Sequence, residues 1–330
     1  MMIGLSVAGA ALWAIYSLLG KVHNHKKSKQ VESLQYSVQQ YRDVDEAQIL
    51  FVQASTIDPS LEKLHAIALV GNDAIAVAGD RAIVLMDPTG KETGRITLDE
   101  PATCLASEGG NSPRLFVGMK NHTEVYGLTG EKEASWTSLG ERAEITSIAV
   151  TSNEVFIADA GNRMVWRFDS SGALRGQFDG KRETGGGSSF VIPSPYFDLA
   201  IGTNGKLWIV NPGKQRIQNY SYDGNPRKAW GRSGMRVQDF CGCCNPSHLA
   251  IGPAGDFVTS EKGIPRVKFY DRNGKFAGVV AAPEVFDEDT TDLDLAVDSQ
   301  SRVYVLDPGA GVIRIFERKS PKGGNSETES

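Results

Sequence analysis

The sequence predicts an all-β fold, a six-bladed β-propeller preceded by one N-terminal transmembrane helix. Three observations carry this. A unit of three short apolar strands recurs six times between Lys63 and Phe316, its copies are spaced as propeller blades are, and residues 1–20 contain no charged side chain.

The first twenty residues, MMIGLSVAGAALWAIYSLLG, would span roughly 30 Å as a helix, the thickness of a bilayer core. A cleaved signal peptide is the competing reading, but a basic n-region and a small-residue cleavage site are both absent in good form. An uncleaved anchor over 1–20 is therefore expected, with a basic and polar tether over 21–44, a propeller over 45–318 and a disordered polar tail over 319–330. Lys21, Lys26, Lys27 and Lys29 all follow the apolar run, and by the positive-inside rule they favour a cytoplasmic C-terminal side. His23 and His25 read as a solvated juxtamembrane stretch.

The repeats run in order. LHAIALV, AIAVAGD and AIVLMDPTG form the first unit, and TCLAS, RLFVGMK and EVYGLTG the second. ITSIAV, EVFIADAGNR and MVWRFDSSG form the third, and FDLAIG, KLWIV and RIQNYSYDG the fourth. HLAIG, DFVTSE and RVKFYDRNG follow, and LDLAVD, RVYVLD and VIRIFE close the series. The residue ending each second strand falls at Asp80, Met119, Asp159, Asn211, Glu261 and Asp307, at spacings of 39, 40, 52, 50 and 46. The sixth unit stops after its third strand. An unassigned apolar run, Ile49 to Val52, is the expected source of the missing outer strand, which would close the ring and cover an open edge.

The strand-ending acid, the Gly-Asn-Arg that follows Asp159, and Phe168 to Gly172 (FDSSG) resemble the NHL-repeat family of β-propellers. Softer copies lie at Asn211 to Arg216 and at Glu261 to Arg266, and the second unit departs, with Met119 in place of the acid. The resemblance covers about 250 residues and implies a six-bladed propeller. Membrane-anchored bacterial members of that family commonly face outward, so the resemblance implies an extracytoplasmic propeller, against the lysine rule. Members that act as lyases or lactone hydrolases use central histidines or acids with a metal. Five histidines in this chain fit that poorly.

Charge narrows the partners. Lys+Arg 35 against Asp+Glu 40 gives −5, and residues 31–330 alone carry −9, a poor match for a phosphate backbone. Nucleic acid is not expected. A protein or small-ligand partner is, on the face built by three long insertions, at 179–196, 231–246 and 281–292.

Three of the four cysteines fall within Cys241-Gly242-Cys243-Cys244. Three readings stand: a disulfide such as Cys241 to Cys244 or small packed side chains, a thiolate-bound Zn, Cu or Fe centre completed by His248, or a reactive thiol. Cys104 is expected at a core position equivalent to Leu249. The acidic insertion carries Glu284, Asp287, Glu288, Asp289 and Asp292; the bland reading is a solvated face, and the functional one a cation or basic-partner site. The recurring acids are expected to hold the following turns, pairing with Arg163, Arg266 or Arg314. No catalytic residue is assigned. The function expected is a membrane-tethered, non-catalytic binding or scaffold module; the alternative is a metal-binding or redox accessory protein built on the CGCC loop.

Overall fold

The computed structural model describes residues 41–109, 113–181 and 189–320. Strand β1 (Phe51–Ile57) stands apart in sequence and joins the last blade. Blade 1 is β2 (Ala66–Val70), β3 (Ala74–Gly79), β4 (Ala82–Met86) and β5 (Glu92–Thr97). Blade 2 is β6 (Cys104–Ser107), β7 (Arg114–Gly118), β8 (Thr123–Gly127) and β9 (Lys132–Ser135). Blade 3 is β10 (Ile145–Val150), β11 (Glu154–Asp159), β12 (Met164–Asp169) and β13 (Leu174–Phe178). Blade 4 is β14 (Leu199–Ile201), β15 (Leu207–Asn211), β16 (Arg216–Tyr220) and β17 (Pro226–Trp230). Blade 5 is β18 (His248–Ile251), β19 (Phe257–Glu261), β20 (Arg266–Tyr270) and β21 (Phe276–Ala281). Blade 6 is β22 (Leu295–Val297), β23 (Val303–Asp307), β24 (Val312–Arg318) and β1. All pairings within blades are antiparallel, so this is an all-β six-bladed propeller.

The second strand of every blade is sandwiched between neighbouring blades and buried along nearly its whole length. A strand covered on both faces needs apolar side chains on both. Hence the continuous runs IAVA, LFV, VFIA and VYVL, without strict alternation. Outer strands such as β9 and β13 meet water and are polar. Six apolar clusters fill the six gaps between adjacent blades; Val84 and Tyr304, for example, share the gap between blades 1 and 6.

The ring closes where the chain's outer ends meet. Strand β1 pairs antiparallel with β24, from Phe51 opposite Arg318 to Ile57 opposite Ile313. The expected closing run, Ile49 to Val52, catches only the start of this strand. Its remainder, QASTI, is polar and exposed except for Ile57, because it forms the rim of the blade.

A packing relation repeats between blades. The turn between third and fourth strands ends on glycine, and the preceding blade's outer strand pushes a large side chain against it. A Cβ added at Gly274 would lie 2.3 Å from Trp230, and one at Gly172 would lie 2.6 Å from Trp136.

The expected anchor over 1–20 lies outside the described residues, as do 21–40 of the tether and 321–330 of the tail. Among the described residues no helix is long and apolar enough to cross a membrane.

Candidate functional site: the axial mouth and the cysteine loop

The innermost strands β2, β6, β10, β14, β18 and β22 neighbour one another around a central channel with a cavity of about 280 Å³. At or beside the start of each lies the same short pattern, a variable residue, then an aliphatic, then alanine. The variable residue is Ala66, Cys104, Ser147, Asp198, His248 and Asp294 in turn. Three consecutive blades supply neutral side chains, and the next three supply an acid, an imidazole and an acid.

Structure comes first for these groups. Asp198 accepts the amide of Leu249 in the next blade at 2.6 Å, and Asp294 accepts that of Ile67 at 2.8 Å. Ser147 exchanges hydrogen bonds with the backbone of Leu199, each 3.3 Å long. These side chains staple inner strand to inner strand. His248 does not: its Nδ1 lies 3.5 Å from Asp294 and 3.9 Å from Asp198, and its buried Nε2 has no hydrogen-bond partner. Burial raises both carboxyls to about 6. For Asp198 the neighbouring His248 opposes the rise and Asp294 adds to it; for Asp294 its two backbone donors oppose it and Asp292 adds to it.

All three long insertions join the outermost strand of one blade to the innermost of the next, so they share one face. They meet at Tyr196. Its ring stands edge-on to His248 at 6.1 Å and carries the Lys262 ammonium 3.9 Å from its centroid. Burial pushes the Tyr196 phenol up to about 12, helped by Asp292 of the third insertion and by Cys244 of the second. Residues 182–188 of the first insertion lie outside the described residues.

The cysteine loop is distributed, not clustered. Cys243 and Cys244 bring their sulfurs to 3.1 Å, Cys243 exposed and Cys244 buried. Cys241 is buried behind them, where its amide reaches Glu261 at 3.4 Å. Glu261 in turn pairs with Arg266 at 2.6 Å and Lys268 at 3.2 Å, all three side chains at 1% exposure or less. All four cysteines are free thiols.

The expected site residues separate. The charged neighbours of His248 are Asp198 and Asp294. Cys104 sits level with His248 in the inner-strand pattern, not with Leu249, and it lines the channel as a buried thiol that desolvation pushes up. Glu284, Asp287, Glu288, Asp289 and Asp292 are exposed along their loop, and Asp292 reaches Tyr196 at the mouth. Among the described residues, no three or more His, Cys, Asp or Glu side chains are grouped to hold a metal ion.

The recurring acids hold loops as well as turns. Asp159 accepts the Glu144 amide at 3.0 Å and the Asn162 side chain at 2.7 Å. Asp80, Asn211 and Glu261 likewise reach back to Glu62, Val191 and Cys241, at the start of their own blades. Of the expected arginine pairs, Glu261 with Arg266 and Asp307 with Arg314 form; the position of Arg163 is taken by Asn162 and Trp166, which donate to Asp159.

No family model matches the chain, and no curated protein matches it. Solved structures do. A protein of unknown function from Bacteroides thetaiotaomicron superposes with a TM-score of 0.58 at 12% identity, covering 82% of this chain and 72% of that one. Virginiamycin B lyase from Staphylococcus aureus gives 0.56 at 12% identity, over 82% of this chain and all of the other. The WD40 β-propeller domain of Doa1 gives 0.52 at 13% identity, over 78% and 79%. At these identities the likeness establishes the propeller fold.

Proposed function

We propose that this protein is a membrane-tethered binding module whose ligand enters the axial mouth on the long-loop face. The observation that carries the reading is the coincidence of two asymmetries: the blades that supply Asp198, His248 and Asp294 are those flanked by the three insertions that meet at Tyr196. A cavity with a few convergent polar groups is the usual form of a small-ligand site. One buried carboxylate, one half-buried carboxylate and an imidazole nitrogen without a partner fit a cationic, N–H-bearing group such as a primary amine or guanidinium, offered by a small molecule or by a side chain of a partner protein. Tethering rests on the uncharged run over 1–20, and an extracytoplasmic face on the resemblance to anchored NHL propellers.

The test uses n-butylammonium and methylguanidinium as probes, with the His248 imidazole followed by NMR. Saturable shifts at about pH 8, weakened at least tenfold in Asp198→Asn/Asp294→Asn and fading as pH falls through about 6, support the reading. Binding that survives the double substitution, or shifts that never saturate, would sink it.

The alternative, an accessory protein using the CGCC loop, is favoured by one observation, the close approach of Cys243 and Cys244. It points to thiol chemistry; a thiolate-bound metal has only this pair in place.

A further inference from the structure

We propose that Cys243 and Cys244 form a redox modification site, a vicinal dithiol that a small-molecule disulfide converts to a disulfide within the loop. The inference does not depend on whether the axial mouth binds a cation. Their sulfurs are 3.1 Å apart, inside ordinary non-bonded sulfur contact. Exposure divides the labour between them. Cys243 alone of the four cysteines is exposed, so it is the sulfur an incoming disulfide can meet. Cys244 is buried directly beneath it, poised to resolve the adduct.

The remaining thiols are excluded by their surroundings. Cys241 is buried, and desolvation together with the Glu261 carboxylate disfavours its thiolate, although Arg266 and Lys268 oppose this. Cys104 is buried on blade 2. Around Cys243 the hydrogen bond with Cys244 holds the thiol up, while the Lys262 ammonium acts the other way. Once Cys243 has reacted, Cys244 is free to act on it.

The chemistry balances. The Cys243 thiolate attacks one sulfur of R–S–S–R, forming Cys243–S–S–R and expelling one RS⁻. Cys244, losing its proton to solvent, attacks the Cys243 sulfur and breaks the mixed disulfide, so that a second RS⁻ leaves. The cysteine pair gives up two electrons, and the disulfide becomes two thiols. Adjacent Cα atoms stand about 3.8 Å apart, closer than the usual span of a disulfide, so the product is strained and thiols reduce it readily. The modification is therefore reversible. Because Cys244 neighbours Tyr196, it is also felt at the axial mouth.

The experiment treats reduced full-length protein with oxidised glutathione, blocks free thiols with N-ethylmaleimide and maps the peptides. Wild type is expected to retain two labelled cysteines under denaturing conditions, Cys104 and Cys241, with no glutathione left on the chain. Cys244→Ser is expected to trap glutathione on Cys243, and Cys241→Ser to behave as wild type. A glutathione adduct that persists on wild-type Cys243 overturns the proposal. So does loss of the internal disulfide in Cys241→Ser, which would place the bond between Cys241 and Cys244. Should Cys244→Ser fail to fold, the wild-type and Cys241→Ser arms decide the matter alone.

Discussion

Asp294 lies 3.5 Å from Nδ1 of His248 and also accepts the Ile67 amide, so one carboxylate ties the imidazole of blade 5 to the first strand of blade 1. The polar mouth of the channel is thus part of the joint between the last blade and the first.

That joint gives stability a definite pH dependence. Asp198 and Asp294 titrate near 6 in the folded chain against 3.8 in the unfolded one. Across that window the native state binds more protons, so these two groups make stability fall as pH rises. A two-unit shift corresponds to about 3 kcal/mol, and solvent reaching the mouth reduces this to about 1–2 kcal/mol per acid. Urea unfolding of wild type and Asp294→Asn at about pH 4 and about pH 7.5 isolates the effect from the surface acids. The variant is expected to gain about 1–2 kcal/mol relative to wild type between the two conditions. An unchanged difference contradicts the assignment.

Glu261 holds two buried cations behind the cysteine loop. Lys268 is lowered to about 8 by burial, with Glu261 opposing and Arg266 adding to the shift, while Arg266 has one buried nitrogen unpaired. Glu261→Gln leaves both cations uncompensated and is expected to cost about 3–5 kcal/mol. Adding Lys268→Met should return part of that loss. Chemical denaturation of the single and double variants measures it, and additive penalties would show that the charges are not coupled.

Two glycines separate backbone strain from steric room. Gly274 has φ +81° and Gly311 φ +70°, both in the left-handed region. A Cβ at Gly274 meets the Trp230 ring at 2.3 Å, whereas one at Gly311 meets nothing within 4 Å. Gly311→Ala should cost about 1 kcal/mol and Gly274→Ala about 3 kcal/mol or more. Equal melting shifts would mean that the turn, and not the contact between blades, sets the requirement.

The closing strand can be tested at Phe51, which is 3% exposed and packs on Phe269 with ring centroids 5.4 Å apart. Phe51→Ala is expected to lose about 3–5 kcal/mol, whereas Val52→Ala, half exposed beside it, should lose less than about 1 kcal/mol. Thermal unfolding of the pair gives the answer.

How far the sequence could be read differs between fold and site. The fold was legible because second strands buried on both sides leave apolar runs, and because D-x-x-G turns punctuate them. Strand β1 was half hidden: its outward side chains are polar, and pairing through the backbone leaves little trace in residue type. The axial triad was legible in principle. DLAI at Asp198, HLAI at His248 and DLAV at Asp294 align without gaps, but along the chain His248 adjoins the cysteine loop. Proximity across blades is set by register, and register emerges only when the repeats are superposed. The buried set Glu261, Arg266 and Lys268 lay across two ordinary-looking strands, β19 and β20, where alternation would place charges outward; both are buried along their whole length.

The pairing of β1 with β24 also sets the order of events on the ribosome. Residues 51–57 emerge early, yet β24, their ladder partner among the described residues, is finished when Arg318 has been made. Blades 1 to 5 contain all their own strands and can form as they appear, while β1 must wait through the synthesis of some 260 residues, its backbone donors and acceptors unpaired. The polar QAST stretch that obscured this strand in the sequence is suited to that interval, since it offers a passing chain little to adhere to.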